Sequence, residues 1–340
     1  MNLEAHHKPL DAVVLGRIGY DLFAVEQNRP LAEVEHFSRH LGGSSANIAV
    51  GLARLGLSVG IISCLGEDQL ADYLVGFLRR EGVDTQCVRL VEGYNTSLSL
   101  AEVSPPDRFP QVFYRQLPAD QRVSVGEAEL EYVRRARMFV TNGTSLASSP
   151  SREATGTAAE AARAAGARVV LDVDYRSSSW PSPEHAGEQA RKILPWVDVV
   201  IGNEDEVLIL TGERNPSAQA KAVLSRGVEL LILKLGSKGV EAYTQDRSFR
   251  EEPSPAQVVS TIGAGDGFAA GFLFALSQNL PLPTCLRYGN AAAAVVVGRV
   301  SCSDAMPRLH ELRAAISHDN SVRKSRIISD SRKRHTQGDS

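Results

Sequence analysis

The sequence predicts an α/β fold with a mostly parallel central sheet flanked by helices and a small β-sheet lid. Short apolar runs bounded by glycine or aspartate alternate with amphipathic stretches of helical length, as in strand–helix–strand units. Such units place helices on both faces of a parallel sheet through right-handed crossovers. Residues 17–36 and 94–123 break this rhythm, and in the second stretch "TSLSLAEV" and "PQVFYRQL" alternate like exposed strands. We expect these two insertions to form the lid.

The predicted elements follow one another in a regular order. The strands are "DAVVLG", "VGIISCLG", "MFVTNG", "ARVVLDVD", "VDVVIGN" and "VELLILKLG". The helices between them are "SSANIAVGLARLG", "QLADYLVGFLRREG", "REATGTAAEAARAAG" and "AGEQARKILPWV". Two further helices, one after Asp266 and one around Asn290, close the chain. We therefore expect a single domain over residues 10–317, because large α/β domains with one continuous core are common.

The composition excludes several classes of function. Among the 340 residues, 43% are hydrophobic and 23% are charged, and the formal net charge of -3 gives no electrostatic case for nucleic acid or an anionic membrane. Neither a signal-like N-terminus nor an apolar run of about 18 residues is present. Cys64, Cys87, Cys285 and Cys302 lie far apart without a C-x-x-C pair, so no zinc site or disulfide framework is indicated. We expect a cytoplasmic protein with a small-molecule partner.

The C-terminal segment, residues 318–340, has no periodic apolar face. It contains six Lys/Arg against three Asp/Glu. A nucleic-acid arm is the alternative to a disordered tail, and the small charge excess favours the disordered tail.

A cluster of glycines and one carboxylate precedes the first of the two closing helices, in "STIGAGDGFAAGFLFALSQN". Successive backbone amides from Gly263 to Gly265, with the positive end of the helix dipole, would form an anion cradle. Asp266 at its mouth would repel phosphate unless it has a function, and a general base that accepts a proton from an alcohol is the useful one. The alternative is an aspartate that only caps a glycine-rich turn.

Two other classes of nucleotide-binding protein are disfavoured. The sequence has no G-x-x-x-x-G-K-[ST] loop, which argues against a P-loop NTPase. The segment "VVLGRIGYD" lacks the glycine fingerprint of nicotinamide dehydrogenases.

Two motifs together identify a family resemblance. "GAGD" near the C-terminus and "GGSSANIAVGLARLG" near the N-terminus resemble those of the ribokinase-like, or PfkB, carbohydrate kinases, and the resemblance spans about residues 10–315. It implies phosphoryl transfer from ATP to a sugar, with Asp266 as the base and Gly263, Ala264 and Gly265 as the anion hole. The implied cofactors are ATP and Mg²⁺, and a requirement for a monovalent cation is left open.

The resemblance also assigns a sugar side. Asp21 in "GRIGYD" follows the first strand and would accept hydrogen bonds from sugar hydroxyls. Gly42 and Gly43 in "LGGSSANIA" stand at a helix entrance, and Asn47 lies one turn further, where backbone and amide could both reach a polyol. The alternatives are an aspartate that caps a turn and glycines that only form one.

On the nucleotide side, "IGNEDEV" places Asn203 and Glu206 on one helix face, matching the family motif that organises Mg²⁺ and its waters. An asparagine N-cap with an acidic first turn is the alternative. "KLGSKG" matches the nucleotide loop of the family, and "YGNAAAAVVV" would lie beside the adenine. The residues implied in these two segments are Lys234, Gly236, Gly239 and Asn290.

Two arginines predict an acid sugar. Arg115 in "FPQVFYRQLPAD" and Arg176 in "LDVDYR" favour a carboxylate partner, although either could be a solvated charge at a strand end. The set of motifs resembles family members that phosphorylate 5-dehydro-2-deoxygluconate in inositol catabolism. Kinases of 2-dehydro-3-deoxygluconate are the alternative within the family, and a catalytically silent sugar-binding regulator is the alternative outside it. A homodimer through the lid is a further expectation.

Overall fold

The structure is a computed structural model, and it describes residues 10–105 and 108–319. Its large sheet has the strand order β13-β12-β11-β10-β9-β8-β1-β4-β5. The strands from β11 to β5 in this order are parallel, whereas β12 and β13 are antiparallel to their neighbours. The strands of this sheet are β1 (Leu10–Leu15), β4 (Val59–Gly66), β5 (Val83–Val91), β8 (Ala136–Asn142), β9 (Arg168–Asp172), β10 (Val199–Asn203), β11 (Leu230–Lys234), β12 (Val240–Tyr243) and β13 (Ser248–Glu251).

Helices cover both faces of this sheet, as predicted. They are α1 (Ser44–Arg54), α2 (Gln69–Arg80), α3 (Glu127–Arg134), α4 (Ser151–Ala164), α5 (Pro183–Ile193), α6 (Glu204–Thr211), α7 (Pro216–Leu224), α8 (Ala264–Ser277) and α9 (Leu282–Val297). Alternate residues of β1 enter different cores, since successive side chains of a strand point to opposite faces. Ala12 and Val14 pack with residues of α1, α2, α8 and α9, and Val13 and Leu15 pack with residues of α3 to α7.

A second, smaller sheet has the order β3-β2-β6-β7, in which β2 and β6 are parallel and the other pairs antiparallel. Its strands are β2 (Gly19–Ala24), β3 (Phe37–Gly42), β6 (Ser97–Ala101) and β7 (Gln111–Tyr114). Strand β3 lies beyond the first insertion expected at about 17–36. Its sequence, "FSRHLG", contains few apolar residues, so its contribution to the sheet depends on pairing with β2.

The two closing helices pack closely because of glycines on α8. A Cβ atom on Gly267 would lie 2.7 Å from Val296, and one on Gly271 would lie 2.5 Å from the carbonyl oxygen of Tyr288. Gly267 therefore serves helix packing, unlike the preceding glycines at the helix entrance. No helix in the described ranges is long and apolar enough to cross a membrane. Most of the predicted disordered tail, residues 320–340, lies outside the described residues.

Candidate active site

The predicted base, Asp266, lies in the first turn of α8. Gly263 caps this helix with φ at +83°, a left-handed conformation that glycine adopts without strain. The Asp266 side chain is buried and accepts a hydrogen bond from Ser44 Oγ at 2.8 Å and another from Asn47 Nδ2 at 2.7 Å. Asp266 therefore does not cap the helix; two side chains of α1 hold its carboxylate in place.

The environment makes Asp266 a better proton acceptor than an exposed aspartate. Burial raises its pKa, and the nearby charge of Asp174 raises it further. The hydrogen bonds from Asn47 and Ser44 oppose this shift. A raised pKa strengthens a general base as long as the group still ionises at the working pH.

Asn47, which was predicted to contact the sugar, has both ends of its amide engaged within the protein. Its Nδ2 donates to Asp266, and its Oδ1 accepts a hydrogen bond from Ser303 Oγ at 2.6 Å. Three distant segments of the chain thus meet at the base. Ser303 could not be identified from the sequence, whereas Ser44 lies inside the "GGSSANIA" motif.

The predicted anion cradle is partly open. The Ala264 amide donates to Thr261 O at 3.2 Å, and the Gly267 amide donates to Gly263 O at 2.9 Å. Within the described ranges, the Gly265 amide has no recorded acceptor. A Cβ atom on Gly265 would lie 3.3 Å from Lys234 Nζ, so this amide lies beside a partly buried ammonium group. The arrangement suits an anion, because an N–H group, a helix N-terminus and a cation lie together.

On the predicted sugar side, Asp21 is buried and accepts a hydrogen bond from Ser99 Oγ at 2.7 Å. Burial raises its pKa, whereas the charge of Arg17 and the hydrogen bond from Ser99 lower it. Both predicted glycines are needed sterically. A Cβ atom on Gly42 would lie 1.8 Å from Asp21 Oδ2, and Gly43, with φ at +93°, would place one 2.4 Å from Arg17 O.

The two predicted arginines each have a carboxylate partner. Arg115 Nη2 donates to Asp120 Oδ2 at 2.7 Å, and both side chains are buried. Arg176 Nη2 lies 2.9 Å from Asp174 Oδ1, and 47% of the Arg176 side chain is exposed. Asp174 has φ at +32° and projects from the loop after β9. The "DYR" spacing therefore produces a short ion pair, and a role of either arginine in sugar binding stays a prediction.

On the predicted nucleotide side, Lys234 lies at the end of β11 and is held by two carboxylates. Its Nζ lies 3.4 Å from Asp172 Oδ1 and 3.9 Å from Glu206 Oε2. Burial raises the pKa of Asp172 to about 7, although the charge of Lys234 opposes this shift. Burial would lower the pKa of Lys234, but the two carboxylates hold it above its usual value. Asp172 was not identified from the sequence, although it lies in the quoted "LDVDYR" segment.

Asn203 and Glu206 form a reciprocal capping box at the start of α6. The backbone N–H of Asn203 donates to Glu206 Oε2 at 2.7 Å, and the backbone N–H of Glu206 donates to the side-chain Oδ1 of Asn203 at 2.9 Å. The alternative of an asparagine N-cap is therefore present in the structure. Glu206 also contacts Lys234, which places the cap at the site.

The remaining predicted nucleotide residues lie near the antiparallel edge of the large sheet. Gly236 and Gly239, with φ at +58° and +92°, belong to the tight turn between β11 and β12. A Cβ atom on Gly236 would meet open space, so a ligand could approach this backbone. The Asn290 side chain on α9 donates to Glu252 O at 2.7 Å, and its adenine contact stays a prediction.

Comparisons with known proteins identify the family of the chain. The family model of the pfkB carbohydrate kinases matches residues 10–309. The 5-dehydro-2-deoxygluconokinase of Geobacillus kaustophilus (strain HTA426) is 38% identical over 315 residues, which cover 91% of this chain and 94% of that protein. The protein of the same name from Clostridium tetani (strain Massachusetts / E88) is 34% identical over 316 residues, which cover 91% of this chain and 93% of that protein.

Solved structures show the same fold. The PfkB protein from Polaromonas sp. JS666 superimposes with a TM-score of 0.80 at 29% identity, covering 90% of this chain and 99% of that one. The fructokinase with bound ATP from Xylella fastidiosa superimposes with a TM-score of 0.81 at 26% identity, covering 91% of this chain and 99% of that one. The fold, the motifs and the relatives lead to one conclusion: the chain belongs to the pfkB family of carbohydrate kinases.

Proposed function

We propose that the protein transfers the γ-phosphoryl group of ATP to the primary hydroxyl of 5-dehydro-2-deoxy-D-gluconate, which gives the 6-phosphate. The observation that carries this proposal is the buried carboxylate of Asp266 at the N-terminus of α8, held by Ser44 and Asn47. The names of the relatives from Geobacillus and Clostridium support the choice of substrate.

The residues support an in-line transfer. Asp266 accepts the proton of the hydroxyl, the hydroxyl oxygen bonds to the γ-phosphorus, and the bond from that phosphorus to the oxygen of ADP breaks. The Gly265 amide and the N-terminus of α8 stabilise the charge that develops on the transferring group. The Lys234 ammonium, 3.3 Å from a Cβ position on Gly265, adds a positive charge on the nucleotide side.

The residues on the nucleotide side also fit Mg²⁺. Glu206 and Asn203 offer oxygen donors, the type that Mg²⁺ prefers, and their capping contacts leave water-mediated binding as the mode that suits them. When bound, Mg²⁺ would neutralise charge on the phosphate oxygens. No group of three or more His, Cys, Asp or Glu side chains suited to a metal occurs among residues 10–105 and 108–319.

A substrate panel tests the proposal. Wild-type protein is assayed for ADP release with 5-dehydro-2-deoxygluconate, 2-dehydro-3-deoxygluconate, ribose and fructose, each in potassium and in choline buffer. We expect the highest kcat/KM for 5-dehydro-2-deoxygluconate. A higher value for 2-dehydro-3-deoxygluconate would identify the alternative acid-sugar kinase, preference for a neutral sugar would refute the acid-sugar assignment, and tight sugar binding without turnover would indicate a regulator.

The small sheet supports the proposal of a lid that also forms a homodimer. Its edge strand β7 exposes Val112 and Tyr114, and Leu117 is exposed just beyond it. An edge strand with exposed apolar side chains can pair with a second copy. Light scattering after size exclusion should give twice the chain mass, and Tyr114→Lys should reduce it to a monomer; a monomeric wild type would contradict the proposal.

A further inference from the structure

We infer that Arg17 binds the carboxylate of the sugar acid and thereby determines the preference for acid substrates. This inference rests on the proposed function, since it names the residue that recognises one group of the proposed substrate. Arg17 lies between β1 and β2, where the chain passes from the large sheet to the small one.

The main observation is an unsatisfied donor. Arg17 Nη1 is buried, and it has no hydrogen-bond partner among the described residues. A buried N–H donor without an acceptor is costly, because it loses its water and gains no hydrogen bond in return. A carboxylate is the partner that a guanidinium binds best, through two parallel hydrogen bonds.

The surroundings hold the Arg17 side chain in place. Its Cζ lies 5.9 Å from the centre of the Phe113 ring on β7, and a Cβ atom on Gly19 would lie 2.4 Å from Nη1. Glycine at position 19 therefore leaves the space that the guanidinium occupies. The side chain thus lies next to Gly19 of β2 and Phe113 of β7, so a ligand would not need to order it.

The geometry places Arg17 beside the predicted sugar residues and the base: a Cβ atom on Gly43 would lie 2.4 Å from Arg17 O, and the next residue, Ser44, donates to Asp266. Burial lowers the pKa of Arg17, and the charge of Arg115 lowers it further, whereas Asp21 raises it. Burial likewise raises the pKa of the Cys302 thiol, on which the charges of both Asp266 and Arg17 act. Cys302 also packs against Gly263 at the start of α8. The arginine, the predicted sugar ligand and the base therefore lie in one neighbourhood.

Arg17 differs in this respect from the two arginines predicted from the sequence. Arg115 donates to Asp120 and to Ser97, and Arg176 pairs with Asp174. A carboxylate bound by either would share the guanidinium with a carboxylate of the protein itself. Arg17 Nη1 has no hydrogen-bond acceptor among the described residues, so a substrate carboxylate would supply the missing acceptor.

The test compares acid and neutral substrates in four proteins: wild type, Arg17→Met, Arg17→Lys and the control Arg134→Met on the surface of α3. Calorimetry without ATP measures binding of 5-dehydro-2-deoxygluconate, and kinetics are measured on this acid and on fructose. We expect Arg17→Met to raise Kd and KM for the acid about 10- to 100-fold, as for loss of a charge-assisted hydrogen bond. The kcat at saturating acid and the kcat/KM for fructose should change by less than about threefold.

Stability separates recognition from a structural role. Because Arg17→Met removes a buried cation without a hydrogen-bond partner on Nη1, its Tm should stay equal to that of wild type or rise. Arg17→Lys keeps the charge without the planar pair of donors and should show an intermediate loss of acid affinity; this variant decides the case if Arg17→Met fails to fold. The control Arg134→Met should match wild type throughout.

The outcomes distinguish the two proposals. If wild type phosphorylates the acid and the Arg17 variants keep its affinity, or lose acid and fructose activity equally, Arg17 is not the carboxylate ligand and the proposed function stands. If wild type neither binds nor phosphorylates the acid, the proposed function fails, and the inference about Arg17 fails with it.

Discussion

The predicted nucleotide end and the predicted sugar end of the site hold cations in different ways. At the nucleotide end, Lys234 lies between Asp172 and Glu206, 3.4 Å and 3.9 Å away. At the sugar end, Arg17 Nη1 is buried without a hydrogen-bond partner in the described ranges. The first cation already has two carboxylate partners in the protein, whereas the second has a buried N–H donor without an acceptor.

This difference separates stability from selectivity. Breaking a closed ion pair leaves a buried charge unpaired and destabilises the fold. An unpaired donor, in contrast, costs stability in the free protein and favours the ligand that satisfies it. We therefore expect substitutions at the nucleotide end to alter folding and metal use, and substitutions at the sugar end to alter the choice of substrate.

The largest effect should come from Asp266, between the two ends. Asp266→Asn keeps the shape, and Ser44 can rotate its hydroxyl to accept a bond from the new amide, but the basicity is lost. The kcat should fall about 10²- to 10⁴-fold while Kd for ATP, measured by calorimetry, stays near that of wild type. The exposed Asp246→Asn serves as the control. Near-normal turnover of Asp266→Asn would remove this residue from the role of base.

Lys234→Met tests the ion pairs at the predicted nucleotide end. It leaves Asp172 buried without its cation, and the free energy of unfolding should fall by about 3 kcal/mol in urea titrations. The exposed Lys192→Met should show no comparable loss. A stability equal to that of wild type would mean that the ion pair contributes little.

In the same variant the fall of stability with pH should extend to higher pH. Burial raises the pKa of Asp172 from 3.8 to about 7, so the folded chain binds more protons than the unfolded chain between these values. The contribution of Asp172 to the free energy of unfolding is therefore greatest at low pH, and it is lost as the pH rises through 7. Loss of the Lys234 charge raises this pKa further and extends the fall to higher pH. A loss of stability that is constant from pH 5 to pH 8 would contradict this account.

Gly42→Ala tests the sugar end. The new Cβ atom would overlap Asp21 Oδ2, which lies 1.8 Å from its position, and would push the carboxylate away from Ser99. Overpacking of this kind costs about 1 to 3 kcal/mol of folding free energy. A displaced Asp21 would also lose its charge-assisted hydrogen bond to the sugar, so KM should rise about 10- to 100-fold. Gly156→Ala in α4, where a Cβ meets no atom within 4 Å, is the matched control and should be neutral or stabilising. An unchanged KM would mean that Asp21 does not contact the sugar.

The smallest effect is expected for Glu206→Gln. The glutamine side chain can still accept the capping hydrogen bond from the backbone N–H of Asn203, so Tm should change little. Removal of the anionic donor should raise the Mg²⁺ concentration for half-maximal rate by about tenfold. Glu204→Gln, an exposed change in the same helical turn, serves as the control. An identical Mg²⁺ titration would limit Glu206 to its capping role.

The parallel centre of the fold could be predicted from the sequence, but its edges could not. The apolar run of β4 is buried along its whole length. Such a run can be recognised as a strand without knowledge of the strands beside it. Strand β5, "VDTQCVRLV", is half exposed, and β12 and β13 are short strands joined through tight turns. The apolar residues of these three strands do not alternate regularly with polar ones. Whether such segments form strands depends on a neighbouring strand with which they can pair.

For the site, motifs located the residues but not their partners. The position of Asp266 at the start of a helix follows from local glycine and helix signals, and in the structure this residue lies in the first turn of α8. The contacts of Asp172 with Lys234 and of Asn47 with Ser303 join residues 62 and 256 positions apart. Such contacts depend on the tertiary arrangement, which one sequence without the fold does not reveal. The free donor of Arg17 is likewise visible only once every neighbour has a position.

The Ser303–Asn47–Asp266 chain of hydrogen bonds has a consequence for the synthesis of the protein. The serine is made 256 residues after the asparagine that it orients. A ribosome-bound chain that already contains the whole parallel sheet still lacks the hydroxyl that anchors Asn47. The nascent chain therefore acquires a correctly held base only after Ser303 has been made and has folded onto Asn47, and fragments that contain Asp266 but end before Ser303 have a loosely held base.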